Sequence, residues 1–251
     1  MAETHEIITL ITGADKGVGF ETAKELGQKG QRVIVGSRNV ERGHDAIGQL
    51  AAAGVKADLV QLDVTDKASI KAAADTIEQE YGYLSILINN AGIAADHHQP
   101  ASQLPTDDIR KDFDVNFFGL IDVTQTMLPL LKKAPSAKII NISSNMGSLG
   151  LATDPNSRFF KVSSMGYQAS KAAVNFVTIS LSKELRDANI SVNSVNPGWT
   201  ATEFGGRPLD SPKIPGMQSV EEGAARIVAI ASDPDNSTTG TFTENAGTLP
   251  W

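Results

Sequence analysis

The chain has 251 residues, 41% of them hydrophobic and 20% charged, which is enough apolar material for one large α/β domain with a sizeable core. Its formal net charge of -7 works against binding a polyanion, because nucleic-acid affinity rests on Lys and Arg neutralising phosphates. With no cysteine, disulfides, thiolate metal sites and a cysteine nucleophile are excluded.

The chain begins MAETHEIITLITG, with acids ahead of an apolar run that passes straight into a glycine turn, unlike a basic-then-apolar signal peptide. Nowhere do about 18 apolar residues run together, the length a membrane-spanning helix needs. A cytoplasmic location without nucleic-acid or membrane partners is expected. Short β-branched runs then alternate with helical patterns. EIITLIT precedes GVGFETAKELGQKG, RVIVG precedes VERGHDAIGQLAAAG, KADLVQLD precedes DKASIKAAADTIEQEYG, and LSILINN follows. Next come a long helix predicted over 109–133, the strand AKIINIS, a helix starting near Tyr167, the strand ISVNSVN, a helix over SVEEGAARIVAIAS and a short strand GTFTE. This alternation predicts repeated βαβ units: one α/β domain over 1–251, a doubly wound parallel sheet of about seven strands with helices on both faces. No internal repeat, low-complexity tract or linker interrupts it. Two breaker-rich segments, 150–166 (GLATDPNSRFFKVSSMG) and 204–218 (FGGRPLDSPKIPGMQ), fall beyond the carboxyl ends of strands, where such sheets bind ligands. They are the expected substrate loops. Phe159, Phe160, Phe204 and Met217 lie in them, as an apolar substrate lining or as loop anchors.

The first turn, LITGADKGVGF, sets Gly13, Asp15, Lys16, Gly17, Val18 and Gly19 between a strand and a helix. Glycines permit a tight turn and let backbone N–H groups approach a pyrophosphate at a helix N-terminus. The spacing T-G-x-x-x-G-x-G differs from G-x-G-x-x-G and lacks the G-K-[ST] ending of a triphosphate loop. The second strand, VIVGSRN, ends without the acid that would bond a ribose 2′-OH and offers Ser37 and Arg38 instead. A guanidinium can fork onto a 2′-phosphate, Ser37 can donate a hydrogen bond, and Lys16 adds charge, so NADP(H) is preferred over NAD(H). The plain alternative makes Arg38 and Lys16 solvated surface cations.

Seven motifs in order resemble the short-chain dehydrogenase/reductase family nearly end to end. They are TGADKGVG (12–19), LDV (62–64), NNAG (89–92), Asn116 in DVNFFG, NISS (141–144), YQASK (167–171) and NPGWTATE (196–203). SRNVERGHDAIGQL, PGWTATE and the LPW ending are similar in style to the NADPH-dependent carbonyl reductase branch. The resemblance implies a Rossmann-like fold and reduction of a ketone or aldehyde, reversible as alcohol oxidation. It implies that Asp63 and Val64 contact adenine, that Asn90, Ala91 and Gly92 line the central cofactor, and that Pro197, Gly198, Thr200 and Thr202 meet the nicotinamide end.

It also carries catalytic roles onto Asn116, Ser144, Tyr167 and Lys171. Carbonyl reduction needs a proton at oxygen, which a tyrosine can give, and a nearby lysine cation lowers a phenol's pKa from its usual value near 10. Lys171, on the same helical face, would also bond the cofactor ribose. Ser144 would hold the substrate oxygen, and Asn116 would position a water in a proton path through Lys171. On residue types alone, Tyr167 and Lys171 are an ordinary i, i+4 helix pair, Asn116 can bond its own backbone, and Ser143 competes with Ser144. The rival class is a non-catalytic NADP(H)-sensing protein on the same fold, which would be expected to have lost Tyr167 or Lys171.

Ser144 and Tyr167 lie 23 positions apart, counted from 144 to 167, further than is common in the family, so 150–166 reads as an insertion beside the substrate cleft. With an insertion there, a homodimer, a homotetramer and a monomer are all compatible. Asp96, His97 and His98 in ADHHQP read as a loop rather than a metal site, since one ion wants three or four converging ligands. Asp107, Asp108 and Asp112 read as acids at a helix N-terminus, where they suit the dipole.

Overall fold

The structure, a computed structural model, describes residues 5–96, 98–208, 211–234 and 238–251. His97 and the 209–210 part of the second loop lie outside the described residues. The chain alternates β1 (Ile8–Thr12), α1 (Gly17–Gln28), β2 (Arg32–Ser37), α2 (Val40–Ala52), β3 (Ala57–Gln61), α3 (Lys67–Tyr81) and β4 (Ile86–Asn89). There follow α4 (Thr106–Phe113), α5 (Leu120–Leu131), β5 (Ala137–Ile142), α6 (Leu149–Thr153), α7 (Met165–Glu184), β6 (Ile190–Val195), α8 (Val220–Ser232), β7 (Phe242–Glu244) and β8 (Gly247–Thr248).

Strand order is β3-β2-β1-β4-β5-β6-β7-β8. Every pair through β6–β7 is parallel. Alternation on β1 sends Leu10 to one face and Ile11 to the other, and each face acquires its own core. Leu10, Leu87 and Ile139 pack with Ile77 of α3 and Met127 of α5. Ile11, Ile88 and Ile140 pack with Leu26 of α1 and Ile227 of α8. Fully burying such a side chain stabilises the fold by about 1.5–3 kcal/mol each. Helix starts follow local chemistry: Asn39 accepts from Arg42 N at 2.8 Å, Asp66 accepts from Ala68 N at 2.9 Å, and Ser219 with Glu222 forms a reciprocal capping box.

The doubly wound α/β fold matches the expectation, with three corrections. The sheet has eight strands, because the chain reverses at Asn245–Ala246 and β8, which opens on Gly247 (φ 129), pairs antiparallel with β7. The helix expected over 109–133 is broken by a π-helical turn at Asp114–Gly119, the segment that carries Asn116. Gly119 there packs on the backbone of Val64, where a Cβ would come within 2.7 Å of the Val64 oxygen. Asp112 is not a solvated charge at a helix start. It lies on the last turn of α4 and is fully buried.

The 150–166 segment forms α6 and a run of turns. Gly150 N donates to Trp251 O at 2.9 Å, and Ser163 Oγ donates to Gln99 O at 3.3 Å, so the segment is tied to the C-terminal residues and to the loop after β4. Among the described residues no helix is long and apolar enough to cross a membrane, and no group of three or more His, Asp or Glu could hold a metal ion.

Candidate active site

The strand order turns back at β1, whose neighbours are β2 and β4, and a crevice opens at the carboxyl ends of these strands. The glycine turn forms its floor. Gly13 (φ 62) and Gly17 (φ 59) occupy the left-handed region, which favours glycine. A Cβ on Gly19 would lie 2.4 Å from Asn90 Nδ2 and 2.7 Å from Gly13 O. Asn90 ties the two strand ends together: Nδ2 donates to Thr12 O at 2.9 Å and Gly13 O at 3.0 Å, while Asn90 N and Ala91 N both donate to Thr12 Oγ1. The start of α1 has no side-chain cap, so its N–H groups face this turn. An uncapped helix start above a backbone cradle fits the pyrophosphate of a dinucleotide.

Charged residues rim the crevice. Asp15 accepts from Arg42 Nε at 2.8 Å, and Lys16 pairs with Glu203 at 3.1 Å. Val18 is half-buried just beyond the turn. Arg38 is exposed at the end of β2. Ser37 is buried and its hydroxyl donates to Asn39 O at 2.8 Å, which uses its proton inside the turn that presents Arg38. Arg42 escaped the reading of the sequence, although its place on the first turn of the helix after Arg38 was a signal. Asp63 Oδ1 accepts from Thr65 N and Thr65 Oγ1, and Val64 is buried against Gly119. Pro197, Gly198 (φ 79) and Thr200 form a turn in which Thr200 Oγ1 donates to Pro197 O at 3.3 Å. Thr202 then folds back over the glycine turn, its methyl 3.3 Å from where a Cβ on Gly17 would stand.

The four candidate catalytic residues converge at one end of this crevice. Ser144 follows β5, and its hydroxyl accepts from Met146 N at 3.1 Å and acts on the Tyr167 phenol in favour of the phenolate. Ser143, its rival, is buried with its hydroxyl donating to Lys171 O at 3.3 Å, on the other side. Lys171 Nζ lies 5.8 Å from the Tyr167 ring centroid and donates to Ile142 O at 2.7 Å. Asn116 does not bond its own helix. Its Nδ2 donates to Ile93 O and to Ser170 Oγ, both at 2.9 Å, and its Oδ1 accepts from Ile93 N at 2.9 Å. The wide π turn lets it reach that segment. Gly92 sits between, where a Cβ would stand 3.3 Å from Asn116 Oδ1 and 3.5 Å from Lys171 Nζ. The Phe204 ring meets the Tyr167 ring edge-on at 5.6 Å, which brings the start of 204–218 onto the site.

Electrostatics here differ from the expected downward tuning of the phenol. Burial pushes Tyr167 up to about 12, against the Ser144 hydroxyl, which favours the phenolate, and with the charges of Asp112 and Asp96, which disfavour it. Lys171 is itself pushed down to about 8 by burial, and the charge of Asp112 works to hold it up. Desolvation is therefore the largest influence on both groups, and at neutral pH both keep their protons.

Two carboxylates that the sequence reads as a loop acid and a helix N-terminal acid border Tyr167. Asp96, 1% exposed, accepts from Ser164 Oγ at 2.6 Å and Tyr167 N at 3.2 Å, and so caps α7 in place of Ser164. Asp112 Oδ1 accepts from Ala95 N at 2.8 Å. Neither acid belongs to a sequence motif, so only tertiary contact reveals them.

Comparison with known proteins agrees with this geometry. The family model for short chain dehydrogenase matches residues 7–210. The short-chain dehydrogenase anuI of Penicillium roqueforti is 35% identical over 239 residues, covering 93% of this chain and 91% of that protein. Carbonyl reductase [NADPH] 1 of Rattus norvegicus is 30% identical over 283 residues, covering 97% and 98%. The crystal structure of an NADPH-bound carbonyl reductase from chicken fatty liver superposes with a TM-score of 0.84 at 29% identity, covering 98% of this chain and 100% of that one. With the glycine turn, the Ser144–Tyr167–Lys171 cluster and a family match over most of its length, this chain belongs to the short-chain dehydrogenase family of oxidoreductases.

Proposed function

We propose that the protein is an NADPH-dependent carbonyl reductase that converts a ketone or aldehyde to an alcohol, and that one domain over 1–251 does so with 150–166 and 204–218 as substrate loops. The observation that carries this reading is the convergence of the buried Tyr167 with Lys171, whose Nζ lies 5.8 Å from its ring, at the end of the glycine-turn crevice, where burial raises the phenol and keeps its proton on at neutral pH. The resemblance to NADPH-binding carbonyl reductases supports the same reading.

The turn residues Gly13, Asp15, Lys16, Gly17, Val18 and Gly19 would cradle the pyrophosphate. Arg38, with Arg42 and Lys16 nearby, would meet the 2′-phosphate. Asp63 and Val64 would border adenine, Asn90, Ala91 and Gly92 the central part, and Pro197, Gly198, Thr200 and Thr202 the nicotinamide end. Bound NADPH supplies the hydride that forms the new C–H bond at the carbonyl carbon, leaving NADP+. Ser144 and Tyr167 hold the carbonyl oxygen, and as the C=O π pair moves onto that oxygen the Tyr167 hydroxyl donates its proton to it. Lys171 stabilises the phenolate left behind, and Asn116 fixes the Ile93 backbone beside Lys171 on the path by which the proton is replaced.

The test is NADPH oxidation by purified protein across a panel of aryl ketones, diketones and aldehydes, with NADPH binding measured separately. Turnover on members of the panel supports the reading, and bound NADPH with no turnover contradicts it. The reduction rate is expected to fall above about pH 8, as Lys171 loses its proton, while Tyr167 remains protonated well beyond that.

A further inference from the structure

Asp112 is a buried titratable group for which the reaction above has no use. It is fully buried on the last turn of α4, four positions before Asn116. Its Oδ1 accepts from Ala95 N at 2.8 Å. Its Oδ2 has no hydrogen-bond partner among the described residues and lies against the first turn of α7, where a Cβ on Gly166 would come within 2.7 Å of it. An anion there faces the N-terminal end of the helix that carries both Tyr167 and Lys171.

We propose that Asp112 is a positioning residue whose charge holds Tyr167 and Lys171 in their protonated state and so biases the site toward reduction. This rests on the reading of Tyr167 as the proton donor. The groups around Asp112 come from three elements. Asp96 lies in the loop after β4, Asp108 one turn earlier on α4, and Lys171 and Tyr167 on α7. Burial, opposed by the Ala95 N–H and by Lys171 but reinforced by Asp96 and Asp108, pushes the Asp112 carboxyl up to about 6. It is therefore an anion at neutral pH. That anion favours the Lys171 ammonium and disfavours the Tyr167 phenolate. Both effects keep protons on the pair, which reduction requires, whereas alcohol oxidation requires the phenolate as base. The carboxylate thus opposes the desolvation that would strip Lys171.

Asp112→Asn tests this, since the amide keeps the size and the acceptor for Ala95 N but loses the charge. Asp112→Ser serves as a second neutral variant with more room, should the amide fit poorly. With NADP(H) saturating, rates of carbonyl reduction and alcohol oxidation are measured from about pH 6 to 10, which brackets the Lys171 titration at about 8. The expected result is that the alkaline fall of reduction and the rise of oxidation both move down by about 0.5–1 pH unit, the size of effect a charge exerts through several ångströms of protein. In the unloaded chain, an NMR titration of ¹³C-labelled lysine should show the Lys171 midpoint moving the same way. A variant that loses rate by one factor at every pH, with both limbs and the Lys171 midpoint unmoved, would overturn the proposal and leave Asp112 a packing residue. Wild-type protein that binds NADPH but reduces no carbonyl would instead overturn the underlying reading of the site. The Lys171 titration would still decide whether Asp112 supports the ammonium.

Discussion

The glycine-turn side of the crevice and the side around the start of α7 solve different problems. The first is made of backbone: positive-φ glycines, an uncapped helix start and Asn90 stitching β1 to β4. Its charged rim, Lys16, Arg38 and Arg42, is in reach of water. The second is made of buried side chains: Asp96 at 1% exposure, Asp112 at 0%, Lys171 at 4%, all within reach of Tyr167. A backbone cradle at the surface can bind a large anion with little cost to the apo fold. A packed ionisable cluster stores electrostatic energy in the fold itself and can tune the proton affinity of one hydroxyl.

The contrast is sharpened most by Tyr167→Phe. Removal of the proposed proton donor should lower kcat by about 10²–10⁴-fold, the usual worth of a positioned acid, with NADPH affinity nearly intact by calorimetry. Arg38→Ala addresses the opposite side and should weaken NADPH binding by about 10- to 100-fold through loss of charge-assisted hydrogen bonds, with NADH binding unchanged. Equal loss for both nucleotides would break the assignment of that rim to the 2′-phosphate.

Asp112→Asn asks whether the buried side carries an electrostatic cost. The carboxyl is raised from 3.8 to about 6, so the fold disfavours its ionised form; the penalty is absent below the unfolded value and fully present above the folded one. Removing the charge should stabilise the protein by about 1–3 kcal/mol at pH 8, with the difference vanishing toward pH 4, read as a melting-temperature gap that closes on acidification. A variant equally destabilised at both pH values would show packing at work instead. The smallest effect belongs to Glu203→Gln, which breaks an ion pair whose side chains are 47% and 40% exposed. Stability should change by less than about 1 kcal/mol.

The two sides also differed in how much of them was legible in the sequence. Backbone devices leave fixed spacings, so Gly13, Gly17, Gly19 and the strand–turn–helix context declared the cradle, and β-branched runs alternating with amphipathic segments declared the sheet. Tyr167, Lys171, Ser144 and Asn116 were legible because they sit in short motifs, and the structure brings all four together. Asp96 and Asp112 were read as loop and helix-end charges, because burial is decided by contacts between residues far apart in the chain. The π turn at Asp114–Gly119 was hidden for the same reason, since an i→i+5 pattern over six residues is indistinguishable from helix in periodicity. The phenol is raised where a lowered one was expected, because desolvation is its largest influence and cannot be weighed until burial is known.

The most direct measurement is a crystal structure with NADP+ and the alcohol product of an accepted carbonyl. The account predicts the Tyr167 hydroxyl at hydrogen-bond distance, about 2.6–3.2 Å, from the product oxygen, with Ser144 on the same oxygen and the nicotinamide facing the carbinol carbon. A product oxygen held by other groups, with Tyr167 still covered by Phe204, would contradict it.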